Sequence, residues 1–224
     1  MAFGAAISIG SVKVNDGRHV KVLTVTKKWR ANVDRPLHTF PVKSEEPAIV
    51  TRARALAADV LRGDAPLYEH SARAAVQAMA LAQAVPSSAR ADVTAAAWLH
   101  DIGYASALRR TGFHPLDGAL FLIREQWPER IVRLVAHHSL AALEAPFYGV
   151  GHHMNVIEPV VGVDTDILVA ADLTGGAGTP TPSVHARLEA LRLADEADDL
   201  IPSDVRQDRY DGLVAAYQRV QALI

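Results

Sequence analysis

Two hydrophobic rhythms divide the chain. Between residues 7 and 25 apolar positions tend to alternate with polar ones: Ile7, Ile9, Val12 and Val14 precede Asn15-Asp16-Gly17, and Val20, Val22, Leu23 and Val25 follow. A period of two predicts strands, and the Asn-Asp-Gly step predicts the turn that joins them as a hairpin. Residues 31–46, interrupted by Pro36 and Pro41, read as a linker. From Pro47 onward the period lengthens to that of a helix, and Ala, Leu and Arg, all strong helix formers, dominate. Helices are expected over 47–62, 66–84, 89–102, 115–126 and 128–143, with Gly63, Pro86 and Gly103 as stops. Residues 144–161 read as loop. The short apolar run 163–173 is ambiguous by period and is assigned as helix from its neighbours. Thr181-Pro182 and Pro202-Ser203 each resemble the start of a further helix. The fold class is therefore mainly α, a helical bundle with a small N-terminal β-hairpin segment, and the domains are 1–45 and 46–224. No internal repeat is evident.

Charge sharpens that boundary. The net charge of −2 conceals a basic start: all five lysines fall within residues 1–43, where eight basic residues face two acidic ones. The remainder carries 15 arginines against 23 acids. The simplest reading of the basic segment is a solvated hairpin that docks on the acidic domain; an arm for nucleic acid or an acidic partner is the alternative. No run of about 18 uncharged apolar residues occurs, so no transmembrane helix is expected. The apolar stretch at residues 3–7 has no basic segment before it, so no secretory leader is expected and the location reads as cytoplasmic. Cysteine is absent, which leaves histidine and carboxylate as the side chains for any metal site.

Such residues are present in a suggestive order: His70, His100-Asp101, His114, His137-His138, Asp172. His70 stands one turn from Leu67 and Ala74, His100 follows Val93 and Ala96, and Asp172 follows Leu168 and Val169, so each lies on an apolar helical stripe. Buried carboxylates need partners. Any one of these residues alone is better read as a satisfied core group. Together, on different helices, they point to mutual pairing or metal binding, and imidazole with carboxylate suits zinc, manganese and iron.

The segment Ala96-Ala97-Trp98-Leu99-His100-Asp101-Ile102-Gly103, with His70 before it and Asp172 after it, resembles the central motif of the HD-domain superfamily of metal-dependent phosphohydrolases over roughly residues 50–200. Gly112-Phe113-His114-Pro115-Leu116-Asp117-Gly118 and Val135-Ala136-His137-His138-Ser139 resemble further elements of its binuclear branch. The resemblance implies an HD-domain helical bundle and two divalent metal ions, iron or manganese foremost. His70, His100, Asp101 and Asp172 would hold one ion. Asp101, His114 and one of His137 and His138 would hold the other, with His137 the better match as direct ligand and His138 behind it or facing substrate. Asp101, as a bridge, and His138 are the residues given catalytic roles. Pro66 stands where a third ion would want a carboxylate, so two ions are the expected maximum. Phe147-Tyr148-Gly149-Val150 replaces the Gly-Tyr-Pro element of cyclic-dinucleotide phosphodiesterases, and that substrate is not supported.

Substrate contacts are expected from Arg109, Arg110, Tyr104 and Thr174, all close in sequence to the ligands; for each the alternative is ordinary surface or packing duty. Gly175-Gly176-Ala177-Gly178 reads as a loop or lid, since it lacks the lysine of a phosphate-binding loop. His152-His153 reads as solvent-exposed, and His19, His38 and His185 have no constellation around them. The leading expectation is hydrolysis of a small phosphoester or nucleotide. A mixed-valence di-iron oxygenase acting on a small polar molecule shares the ligand order, and a non-catalytic metal-binding sensor is the third reading. The partner implied is a small phosphorylated or polar molecule; neither nucleic acid nor membrane is expected, and a homo-oligomer is compatible with the sequence.

Overall fold

The structure, a computed structural model, describes residues 11–15, 20–24, 46–84, 87–175, 184–196 and 200–224. The chain divides into two units, residues 1–44 and 45–224. In the first, β1 (Ser11–Asn15) and β2 (Val20–Thr24) pair antiparallel, with Ser11 opposite Thr24 and Asn15 opposite Val20. The expected turn at residues 16–19 and the linker as far as residue 45 lie outside the described residues, as do His19 and His38.

The second unit is helical: α1 (Ala48–Val60), α2 (Ala65–Leu81), α3 (Ser87–Leu99), α4 (His114–Arg124), α5 (Glu129–Ala136), α6 (Gly151–Asn155), α7 (Val163–Thr174), α8 (Val184–Glu196) and α9 (Ser203–Gln221). Local chemistry sets several ends. The Asp64 carboxylate accepts from the Leu67 amide at 3.1 Å and caps α2, with Pro66 in its first turn. Pro47 and Pro202 sit just before α1 and α9. Facing positions on the first helices are alanines, among them Ala53, Ala57, Ala74, Ala78, Ala95 and Ala96, all buried; small side chains let the helix axes approach closely. α7 joins the main core through Ile167, Leu168 and Ala171, while Val169 and Leu173 on its other side meet Leu188 of α8 and Leu213 and Ala216 of α9 in a second, smaller core.

Three boundaries depart from the pattern-based expectation. α3 stops at Leu99, so His100 and Asp101 lie in a turn beyond the helix rather than on it, and a 3-10 turn over Ile102–Tyr104 follows. Asp101 has φ −101° and ψ 7°, and its carbonyl accepts from the Tyr104 amide at 3.1 Å, which ends the α ladder. α5 stops at Ala136 rather than 143, because Ser139 and Leu140 adopt left-handed φ of 50° and 61° inside the following 3-10 turn, His138–Leu143. The expected loop 144–161 contains the short α6, which carries His152 and His153, both exposed as anticipated. Thr181-Pro182, read as a helix start, lies outside the described residues.

One close approach positions the site. A Cβ on Gly103 would lie 2.0 Å from the His114 carbonyl oxygen, and one on Gly118 3.3 Å from the Gly103 amide nitrogen. Bare backbone on both sides lets the start of α4 press against the His100-Asp101 turn.

Candidate metal centre

Three imidazoles of the cluster are each aimed by a backbone carbonyl. The His70 ring, on α2, places Nδ1 3.0 Å from the Gly175 carbonyl oxygen at the end of α7. His100 places Nδ1 2.9 Å from the Ala97 carbonyl one turn back, and His138 places Nδ1 2.7 Å from the Val135 carbonyl. A carbonyl only accepts, so Nδ1 carries the hydrogen in each ring. In the neutral ring Nε2 is then a bare lone pair. Those three Nε2 atoms, together with His114 Nε2, converge on two carboxylates.

Asp101 faces both ways. Its Oδ2 lies 3.3 Å from His100 Nε2 and 3.6 Å from His70 Nε2; its Oδ1 lies 3.5 Å from both His114 Nε2 and His138 Nε2. Asp172 Oδ1 lies 3.1 Å from His70 Nε2 and 3.7 Å from His100 Nε2. The nitrogens also meet in pairs, His70 with His100 and His114 with His138, each at 3.2 Å. The donors thus fall into two groups, His70-His100-Asp101 and Asp101-His114-His138, and the chosen atoms of each lie within 4.8 Å of one another. Two donors bound to one ion at about 2.1 Å lie roughly 3–3.5 Å apart, which is close to the separations within these groups.

The electrostatics agree. Burial alone would raise the carboxyl of Asp101, yet the imidazoles of His100 and His138 hold it well below the usual range. Burial opposes ionisation of Asp172 too, and His100 and His70 overcome it. His100 is fully buried, which works against its charged form, but Asp101 and Asp172 hold it well above its ordinary value. His114 is pushed down to about 3, by burial first and then by His138. The carboxylates demand positive charge, and the rings of His70, His100 and His138, their Nδ1 hydrogens committed to carbonyls, present Nε2 lone pairs when neutral. A metal cation satisfies both demands, and the donor set of nitrogen and oxygen fits one.

Around the ligand atoms a supporting layer fixes orientation. Ser139 Oγ donates to Asp172 Oδ2 at 2.5 Å. The left-handed turn that puts it there is pinned from α9: Arg209 Nε donates to the Ser139 carbonyl at 3.1 Å and pairs with Glu144 at 3.3 Å. Asp117, buried at the start of α4, accepts from the Thr111 amide and hydroxyl at 2.8 and 2.9 Å and from the Gly112 amide at 3.1 Å; it ties down the loop that delivers His114. Gly175, whose added Cβ would lie 2.7 Å from the Ala74 amide nitrogen, lets α7 come close enough to α2 for the His70 contact.

The remaining expectations are sorted by position. Tyr104 stays at the mouth: its ring stacks on His114 with centroids 3.8 Å apart, and 47% of the residue is exposed. The crowding of protein atoms, then the charges of Asp101 and Asp172, keep its phenol protonated. His137 is not with the cluster. Its ring turns the other way, Nε2 lying 2.5 Å from the Ile157 carbonyl, so His138 occupies the place assigned to His137. Thr174 does not face the site, since its hydroxyl donates back to the Ala170 carbonyl at 2.6 Å and it borders a different depression with Arg73. Arg109 and Arg110 are exposed and do not line the pocket over the ligands. Its arginines are Arg187 and Arg209, with Ser139 and Glu144 beside them, four residues that sequence reasoning missed. Only the joint of a strained turn with two later helices brings them together, and no local pattern encodes that.

The HD-domain family matches this chain over residues 67–200, more than half its length. No curated protein and no solved structure matches it.

Proposed function

The chain belongs to the HD-domain family, a family typically of metal-dependent hydrolases, and from that premise we propose that it hydrolyses a small phosphoester or nucleotide at a binuclear metal site. The observation that carries this reading is the convergence of imidazole lone pairs on Asp101, one oxygen of which faces each donor group. His70, His100, Asp101 and Asp172 would hold one ion, and Asp101, His114 and His138 the other. Bound divalent ions of this kind lower the pKa of water toward neutrality and act as Lewis acids toward a phosphoryl oxygen.

The chain's own residues do the rest. The carbonyls of Gly175, Ala97 and Val135 hold three rings with Nε2 inward. Ser139 fixes one oxygen of Asp172 so that the other faces His70. Tyr104, with its proton retained, offers a hydroxyl donor at the entrance. Loss of this supporting layer costs metal affinity even though none of it need touch an ion.

The deciding experiment is metal analysis of the purified protein, followed by a phosphoester panel with manganese, iron and other divalent ions. Metal-dependent phosphate release that vanishes in Asp101→Ala is the expected result. Oxygen-dependent loss of substrate without phosphate release would instead identify a di-iron oxygenase, and no turnover with metal retained would identify a sensor. The reading places the protein in the cytoplasm, with a small phosphorylated molecule as its partner and the basic N-terminal hairpin as a solvated appendage.

A further inference from the structure

Among the described residues, the pocket above the ligand atoms is small. Its volume is about 80 Å³, against roughly 300–1,000 Å³ for sites that enclose a whole small molecule. Asp101, His114, His138 and Asp172 line its inner side, and Arg187 of α8 and Arg209 of α9 also line it. The two arginines differ in what they do there. Arg209 Nε is engaged by the Ser139 carbonyl and by Glu144. Arg187 has a fully buried Nε with no hydrogen-bond partner. A buried guanidinium N–H left without an acceptor forfeits its hydration and gains nothing in return, and buried donors of this kind are uncommon enough to call for an acceptor.

We propose that Arg187 is a substrate-binding residue that donates to the non-bridging oxygens of a phosphoryl group seated in this pocket, and that the substrate is a phosphomonoester presented phosphate-first. The guanidinium fork matches such oxygens geometrically, as an ammonium does not. A pocket of this size takes the phosphoryl end and leaves the alcohol portion outside, past Tyr104, whose partly exposed ring marks the opening. A diester would need room for two substituents. Three carboxylates, Asp101, Asp172 and Glu144, share the lining, so an anion needs Arg187 as well as any bound cations in order to enter. The identity of the ligand rests on the phosphohydrolase reading; the anion site itself does not.

The test is calorimetric titration of inorganic phosphate into the metal-loaded, full-length protein. Arg187→Gln should weaken phosphate binding about ten-fold or more with metal content unchanged, and Arg187→Lys, which keeps charge but loses the fork, should fall between. Arg109→Gln and Arg110→Gln should bind phosphate as the parent does. With p-nitrophenyl phosphate, Arg187→Gln should raise KM, and the parent should prefer that monoester to bis(p-nitrophenyl) phosphate. Parent protein that binds no phosphate, or Arg187→Gln that binds it within two-fold of the parent, overturns the proposal. Should Arg187→Gln fail to fold, parent-like affinity in Arg187→Lys overturns it instead. If no ester is turned over, the functional reading fails, while the contrast between the parent and Arg187→Gln in phosphate affinity still decides the anion site.

Discussion

His137 and His138 are adjacent but face different partners: His138 Nε2 enters the cluster, whereas His137 Nε2 lies 2.5 Å from the Ile157 carbonyl. His138→Ala is accordingly expected to lose bound metal and His137→Ala to keep it, as elemental analysis of the two purified variants would show. Ser139→Ala removes a hydrogen bond to Asp172 Oδ2 and should weaken metal binding about ten-fold, in line with losses of groups that orient ligands; competition with a chelator measures it. Protons report on the same cluster. Asp101 and Asp172 hold His100 well above its ordinary value, and burial with His138 lowers His114 to about 3. Because a ligating imidazole must be neutral, metal loading at pH 7 should release protons, His100 foremost, as calorimetry in two buffers of different ionisation enthalpy would count; loading with no proton release would contradict it. The sign for stability follows. His100, raised on folding, lends stability that is full below its ordinary value and lost as pH rises through the raised one. His114, Asp101 and Asp172, all lowered, lend stability that is present above their ordinary values and lost as pH falls through the folded ones. At this scale the ligands are legible in sequence because titratable groups on apolar stripes are rare. Ser139 and Arg187 are not, since their roles depend on a left-handed turn and on distant helices.

The positions of helices are more legible than their ends. Apolar period and composition place α1, α2 and α4 within a few residues, and α7 falls where its neighbours suggested, yet α3 and α5 stop earlier than their patterns suggest. In both cases a residue of the cluster sits at the stop: His100 just past α3, His138 just past α5. Tertiary demands override propensity there, as the left-handed Ser139 and Leu140 make plain. Packing of these ends is also where single atoms matter. Gly103→Ala would drive a methyl group into the His114 carbonyl, 2.0 Å away with backbone on both sides, and overpacking of this kind costs about 3 kcal/mol or more. A lowered midpoint of thermal unfolding, together with loss of bound metal, is the expected outcome.

At the scale of the whole chain, the sequence separates a basic β-patterned start, 1–45, from an acidic helical body, 46–224; the structure divides into units 1–44 and 45–224. Every donor atom of the cluster lies in the second unit, which has its own apolar core. A chain beginning at residue 45 should therefore keep its metal content and its phosphate-releasing rate within about two-fold, because the donors and the described residues that orient them all follow that point. No helix among the described residues is long and apolar enough to cross a membrane.

Asp101 alone stands in both donor groups, and this makes the two halves of the site unequal in practice. If two cations bind as proposed, the first would offset the charge of the shared carboxylate and disfavour the second, so occupancy should rise in two steps as metal supply increases. If turnover requires both, activity will track the scarcer, weaker step. Catalysis would then switch on over a window of free-metal concentration set by one aspartate, and the protein would respond to a cell's metal status without any separate regulatory domain.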